Sequence, residues 1–154
     1  MKFYFYEPQV AAEDYGAKTV YADSEYIDVE KLHIEFRRWP QDDLQCCQYC
    51  FIGTERLRQE LDKLSPPITG VDFESVEVTG DDQEFNRVWR QGRPDSALGK
   101  WYWFKITGKP GAKDFGQDYR SMDLVISERV VKVLEKFPLP YKREFRVWHA
   151  GLAK

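Results

Sequence analysis

The sequence predicts an α+β fold in a single domain spanning residues 1–154, mostly antiparallel sheet with two or more short helices. Three observations predict it. Aromatic residues gather in blocks, FYFY at 3–6 and WYWF at 101–104; apolar and acidic residues alternate in VDFESVEV at 71–78; and two stretches carry apolar residues at helical spacing behind a capping residue. Aromatic blocks fit buried pleated strands, alternation gives a strand one apolar face, and an i, i+4, i+7 pattern gives a helix one. A chain of 154 residues has room for one real core, and no linker divides it.

Taken in order, FYFYEP reads as a strand ended by Pro8, and residues 19–36 hold one or two more, separated by loops rich in Asp and Glu. In YCFIGTERLRQELDKL (49–64) an apolar run breaks at Gly53-Thr54, and Leu57, Leu61 and Leu64 then follow at helical spacing. Thr54 is the expected N-cap, and Glu55 complements the positive end of the helix. Pro66 and Pro67 stop that helix, and VDFESVEV follows as one strand with an anionic outer face. Residues 79–99 are polar, hold three glycines and a proline, and read as a long connection with one helical turn around Phe85–Trp89. WYWFKIT is the next strand, TGKPGAKDFGQD a loop, and MDLVI a further strand. After Ser127, the apolar Val130, Val131, Leu134 and Phe137 line one helix face, with Arg129, Lys132, Glu135 and Lys136 outside it.

The two helical stretches match role for role. TERLRQELDKL at 54–64 and SERVVKVLEKF at 127–137 each follow an apolar strand and each precede two prolines and another strand, so half-repeats are expected around 49–78 and 122–149. An old duplication and repeated use of good cap chemistry would both produce this pattern.

The net charge of −3 conceals an asymmetry: residues 1–99 hold 11 basic and 20 acidic side chains, a balance of −9, and residues 100–154 hold 12 and 6, a balance of +6. An acidic surface of that kind suits a basic partner, although two halves that satisfy each other's charges would look the same. No apolar run reaches membrane-spanning length, and the opening MKFYFYEPQV meets Glu7 and Pro8 too soon for a signal peptide, so a cytoplasmic protein without a membrane partner is expected. The crowding of Cys46, Cys47 and Cys50 is unlike a disulfide framework and fits a reducing compartment.

Ser127 poses the sharpest question of chemistry. It lies at a strand-to-helix junction, where a nucleophile can sit, but the turn reads V-I-S-E-R without the glycines of a nucleophile elbow, so capping is the expected role. Only His33 and His149 could serve as imidazole bases, each in a strand-like context. Cys47-Gln-Tyr-Cys50 has metal-site spacing but no second pair, so no cofactor is expected and buried thiols are the default. Lysines 100, 105, 109 and 113 around Trp101 and Trp103 raise the alternative of a single-stranded nucleic-acid surface, against which the acidic pI of about 5.5 argues. A small enzyme using His and Asp chemistry is the other alternative. Neighbouring carboxylates at Asp42-Asp43 and Asp81-Asp82 point to opposite faces of any strand, which disfavours catalysis. With Glu84 they are better placed in an acidic binding surface, anchored by Trp39, Phe85 and Trp89.

The opening MKFYFYEP, the turn PDSALGK before the aromatic strand, and MDLVISERVVKVLEKF with its trailing EFRV resemble the small immunity proteins encoded beside bacterial polymorphic or contact-delivered toxins. The resemblance implies an α+β protein without catalytic residues that binds and neutralises a cognate toxin. Members with paired cysteine motifs show two C-x-x-C sequences followed by Gly, whereas this chain has one followed by Phe.

Overall fold

A computed structural model describes residues 1–26, 28–118, 120–141 and 144–150. Its architecture is α+β, as expected. Twelve strands are described: β1 (Phe3–Tyr6), β2 (Val20–Tyr21), β3 (Val29–Lys31), β4 (His33–Phe36), β5 (Leu44–Cys47), β6 (Cys50–Thr54), β7 (Val71–Ser75), β8 (Glu77–Gly80), β9 (Trp101–Ile106), β10 (Phe115–Gln117), β11 (Leu124–Ser127) and β12 (Arg146–Trp148). Helix α1 (Glu55–Asp62) follows β6 and α2 (Glu128–Leu134) follows β11, and a π-helical turn occupies Phe85–Trp89, where the sequence predicts one turn of helix.

Two four-stranded sheets dominate, with strand orders β5-β6-β9-β7 and β10-β11-β1-β12, both antiparallel throughout. The pairs β2-β3 and β4-β8 complete the fold, and β4-β8 is the parallel one. Strands β5, in the cysteine-rich stretch, and β10, inside the segment expected to be a loop, were hidden from sequence reasoning, and residues 19–36 hold three strands rather than one or two. The alternating stretch 71–78 is not one strand. It divides at Val76, β7 joining the first large sheet and β8 pairing with β4, because apolar alternation specifies a face without specifying a partner.

The two large sheets correspond element by element. In each, an aspartate precedes a strand, a second strand returns antiparallel, and a Thr/Ser-Glu-Arg sequence opens a helix. The third strand of each sheet is an aromatic one: Thr54 stands opposite Trp101, and Ser127 opposite Phe3. The Glu55 N–H donates to Lys100 O at 3.1 Å, and the Glu128 N–H to Lys2 O at 3.0 Å. KWYWF thus occupies in one sheet the place that KFYFY occupies in the other. The correspondence extends the expected half-repeats and adds an exchange. Strand β1, which leads the first half in sequence, sits in the sheet of the second, and β9, which leads the second half, sits in the sheet of the first.

The period of two along these strands separates two hydrophobic clusters. Phe51 and Phe104 join Tyr6, Leu57, Leu61, Leu124, Ile126, Val130 and Leu134 in a cluster that unites both sheets and both helices. Ile52, Trp101 and Trp103 face the other way, onto Ile34, Phe36, Phe85, Cys47 and Cys50. Among the described residues no helix is long and apolar enough to cross a membrane.

Candidate functional site

Both helix entrances are built on a buried carboxylate. At the first, the Thr54 hydroxyl donates to Asp43 Oδ2 at 2.5 Å, and Arg56 grips the same carboxylate through Nε at 2.5 Å and Nη2 at 2.6 Å. Thr54 also accepts from the Leu57 N–H at 3.3 Å, so its expected capping role holds. At the second, the Ser127 hydroxyl donates to Asp114 Oδ1 at 2.7 Å, and Arg129 grips the carboxylate through Nε at 2.8 Å and Nη2 at 2.6 Å. Ser127 occupies the N-cap position but makes no side-chain cap bond, which corrects the expectation: its proton is given to Asp114, and the hydroxyl is turned away from the helix. Ser127 has no exposed surface, and its hydroxyl is committed to the Asp114 carboxylate.

Burial alone would raise the Asp114 carboxyl, but the bonds from Arg129, Ser127 and Thr69 outweigh it and hold the group well below the usual carboxylate range. Each arginine also reaches across to the other half. Arg129 donates to Pro66 O and Pro67 O at 2.6 and 3.1 Å, and Arg56 lies 5.2 Å over the Phe137 ring.

The residues predicted to form an acidic, aromatic surface are divided by the fold. Trp39, Asp81, Asp82, Glu84, Phe85 and Trp89 do come together. Phe85, however, is fully buried rather than an exposed anchor; its ring lies against Gly80, where a Cβ would stand 1.9 Å from Phe85 Cδ1, and it stacks on Trp39 at 5.3 Å. Asp81 caps the π-helical turn, accepting from the Glu84 and Phe85 N–H groups at 2.9 and 2.8 Å, and pairs with Arg37. Asp82 is exposed and accepts from Asn86 at 2.9 Å. Arg90 covers Trp39 and Phe85, and Arg93 covers Trp39 and Trp89, so cations layer this patch and it is not simply acidic. Asp42 and Asp43 lie apart from it. Both are buried, which removes them from the expected acidic surface: Asp43 is held by Arg56, and Asp42 sits beneath Tyr141.

Other candidate groups also have structural places. His33 is buried, with Nδ1 accepting from the Lys18 N–H at 3.1 Å and Nε2 2.8 Å from Thr79 Oγ1. His149 is exposed at the end of β12. Burial, reinforced by neighbouring thiols, pushes Cys46 and Cys47 up to about 12, and Cys50 is raised by burial while accepting from the Tyr15 hydroxyl at 3.2 Å. Such thiols stay protonated at neutral pH and are poor nucleophiles. Among the described residues no group of three or more His, Cys, Asp or Glu side chains is arranged to hold a metal ion. Trp101 and Trp103 are buried, so they offer no face on which a base could stack.

One concavity was not singled out in the sequence. It is an open groove of about 580 Å³ at the hairpin ends of both large sheets, where the β5-β6 turn meets the loop before β11. The Gln117 amide donates across the junction to Tyr49 O at 3.2 Å. Val10, Tyr49 and Tyr141 border the groove and are 44, 59 and 46 % exposed. Gln48 and Met122, one from each hairpin, also line it and adopt left-handed φ values of 54° and 61°. Non-glycine residues in that region are held there by their surroundings, and such strain gathers at binding sites. Tyr6 Oη and Asp42 Oδ2 are buried without a hydrogen-bond partner among the described residues. The chain matches no protein-family model and no curated protein sequence.

Proposed function

We propose that this chain is an immunity protein that acts in the cytoplasm, binding and neutralising a cognate bacterial toxin by stoichiometric contact. The observation that carries this reading is the open groove between the two hairpins, bordered by Tyr49, Tyr141 and Val10. Tyrosines supply large contact area at little conformational cost and are enriched among the residues that dominate interface energies. Two further features support it. The −9 balance of residues 1–99 favours a toxin with a basic surface, and the segments that resemble immunity proteins build the helix entrances and aromatic strands that set the groove in place.

The test is capture of the tagged chain from toxin-expressing native cells at physiological salt, with stoichiometry read by mass spectrometry. One 1:1 protein partner, toxic when expressed without this chain, is the expected result. Recovery of no protein partner under those conditions would sink the reading.

A further inference from the structure

The segment Arg87-Val88-Trp89-Arg90-Gln91-Gly92-Arg93 reverses the charge of the half that carries it. Residues 1–99 balance at −9, yet this stretch holds three arginines and no acid. Arg37, Arg38, Arg56, Arg58, Arg129 and Arg146 each lie 3.6 Å or less from a carboxylate. Among the described residues no carboxylate pairs with Arg87, Arg90 or Arg93, although the half has acids in excess. Aromatic rings hold two of the three instead. Arg93 lies 5.3 Å over Trp39 and 5.4 Å over Trp89, and Arg90 lies 5.6 Å over Trp39 and 5.3 Å over Phe85. Turns fix their spacing: the Arg90 N–H donates to Phe85 O at 2.8 Å, and the Arg93 N–H to Arg90 O at 3.0 Å. A guanidinium carries five N–H donors in its plane, and stacking occupies only its faces. The Arg90 side chain donates to Ser96 O at 2.6 Å, and that of Arg93 makes no hydrogen bond among the described residues.

We propose that this segment is a docking surface for a carboxylate-bearing loop of the protein partner, with Arg87, Arg90 and Arg93 receiving its acidic side chains and Val88 and Trp89 its apolar atoms. Guanidinium groups already held by their faces lose little side-chain freedom when a carboxylate meets their edges with paired bonds. The surface is open to solvent: Arg87 is exposed, Val88 is 61 % exposed, and Trp39, Trp89, Arg90 and Arg93 are only partly buried. Tryptophan and arginine together are the composition of interface hot spots. The surrounding acids favour a protein loop over nucleic acid. Asp81 caps the turn that carries Arg87, and Asp82 and Glu13 line one cleft with it. A phosphate backbone, charged at every step, meets repulsion from these acids, whereas a loop with one or two carboxylates need meet only the arginines. The acidic half thus favours basic ground on its partner and requires one acidic element within it, a reversal that fixes register. The inference rests on the immunity reading only in taking the occupant to be a protein.

The test uses the full chain and needs no toxin. A capped Glu-Gly-Glu-Gly-Glu peptide and its glutamine counterpart are titrated while tryptophan indole and arginine Nε–H signals are followed by NMR, with an oligothymidylate of the same charge as the polyanion control. Expected are saturable shifts at Trp39, Trp89, Arg90 and Arg93, with the glutamate peptide binding about tenfold more tightly than the glutamine one and losing that margin in high salt. Arg93→Gln should remove most of the margin. Arg87→Gln, at an exposed side chain outside the ring stack, should reduce it a few-fold, so the test stands even where the first variant fails to fold. Equal binding of the two peptides, no shift at these residues, or tighter binding of the oligonucleotide than of the glutamate peptide overturns the proposal. A captured toxin whose complex is indifferent to both variants would remove this surface and leave the immunity reading standing. Binding of the glutamate peptide with no toxin captured would do the reverse.

Discussion

Replacing Asp114 with Asn tests the claim that a buried carboxylate anchors the second helix entrance. Five hydrogen bonds converge on its oxygens, from Arg129 Nε and Nη2, the Ser127 hydroxyl, and the Thr69 N–H and hydroxyl. An amide oxygen accepts about two, and the new NH₂ group faces donors. Breaking a buried pair by removing one charge costs about 3–5 kcal/mol; with Arg129 23 % exposed, the lower end of that range, about 3 kcal/mol, applies. In a chain of this length a loss of that size lowers Tm by about 6–12 °C. The assay is urea and thermal unfolding of both proteins as a function of pH. Folded Asp114 binds its proton more weakly than the unfolded residue, so its contribution is complete above about pH 4, where an unfolded aspartate ionises, and is lost as pH falls toward its lower folded value. The difference between wild type and Asp114→Asn should therefore be constant near neutrality and shrink in acid. A difference under about 0.5 kcal/mol at pH 7, or one that grows on acidification, would refute the reasoning.

Three further predictions follow from neighbouring contacts. Ser127→Ala should cost about 1 kcal/mol, because Asp114 keeps its other donors, and Thr54→Ala should cost more, because it loses a helix cap and a carboxylate bond together; equal urea midpoints for the two variants would contradict this. Gly80→Ala places a methyl group 1.9 Å from Phe85 Cδ1, which should expel the ring from beneath Trp39, destabilise the fold by about 1–3 kcal/mol and shift tryptophan emission; an unchanged spectrum would show that the stack does not depend on that glycine. Burial raises Asp42, with Asp43 adding to the effect, so its ionisation weakens the fold as pH rises through its folded value; Asp42→Asn retains the acceptor for Tyr141 and should leave stability at pH 7 equal or higher, and a loss above about 1 kcal/mol would show that the carboxylate is paired.

The elements that local pattern controls were legible in the sequence. Thr54 and the leucines after it, the aromatic block at 101–106, and the apolar run ending at Ser127 all describe residues that determine their own conformation. Legibility ended where the partner is distant. Asp43 read as part of an acidic binding surface and Asp114 drew no notice, because the hydroxyl and arginine that hold each lie 11–15 residues away and nothing local distinguishes a solvated aspartate from one gripped by an arginine. The recurring Thr/Ser-Glu-Arg was visible, but its arginine was read as the outer face of a helix. An aspartate before a hidden strand, at a similar distance from each motif, was the signal that could have revealed both locks: Asp43 precedes Thr54 by 11 residues and Asp114 precedes Ser127 by 13. The groove was illegible for a stronger reason. Its residues come from the end of β1, the β5-β6 turn, the loop before β11 and Tyr141, which no window along the chain contains.

The exchange of aromatic strands explains why these sites belong to the whole chain rather than to either half. KFYFY at 2–6 and KWYWF at 100–104 are alike because each fills the same place, third strand of a sheet beside a Thr/Ser-Glu-Arg helix, yet each fills it in the half that it does not lead. Strand exchange removes from each half the element that would close its own sheet, so neither can bury its core without the other. After leaving the second sheet at Tyr6, the chain must cross to the first, and it does so through Gln9, which bridges Gln45 and accepts from the Gln41 and Asp42 N–H groups. That crossing carries Tyr6, Glu7, Pro8, Gln9 and Val10 along one wall of the groove while the hairpins of the two sheets supply the others. The groove at this junction is therefore a consequence of the exchange: one wall comes from the chain as it leaves one sheet for the other, and the hairpins of the two sheets close the rest along the seam where the halves are joined.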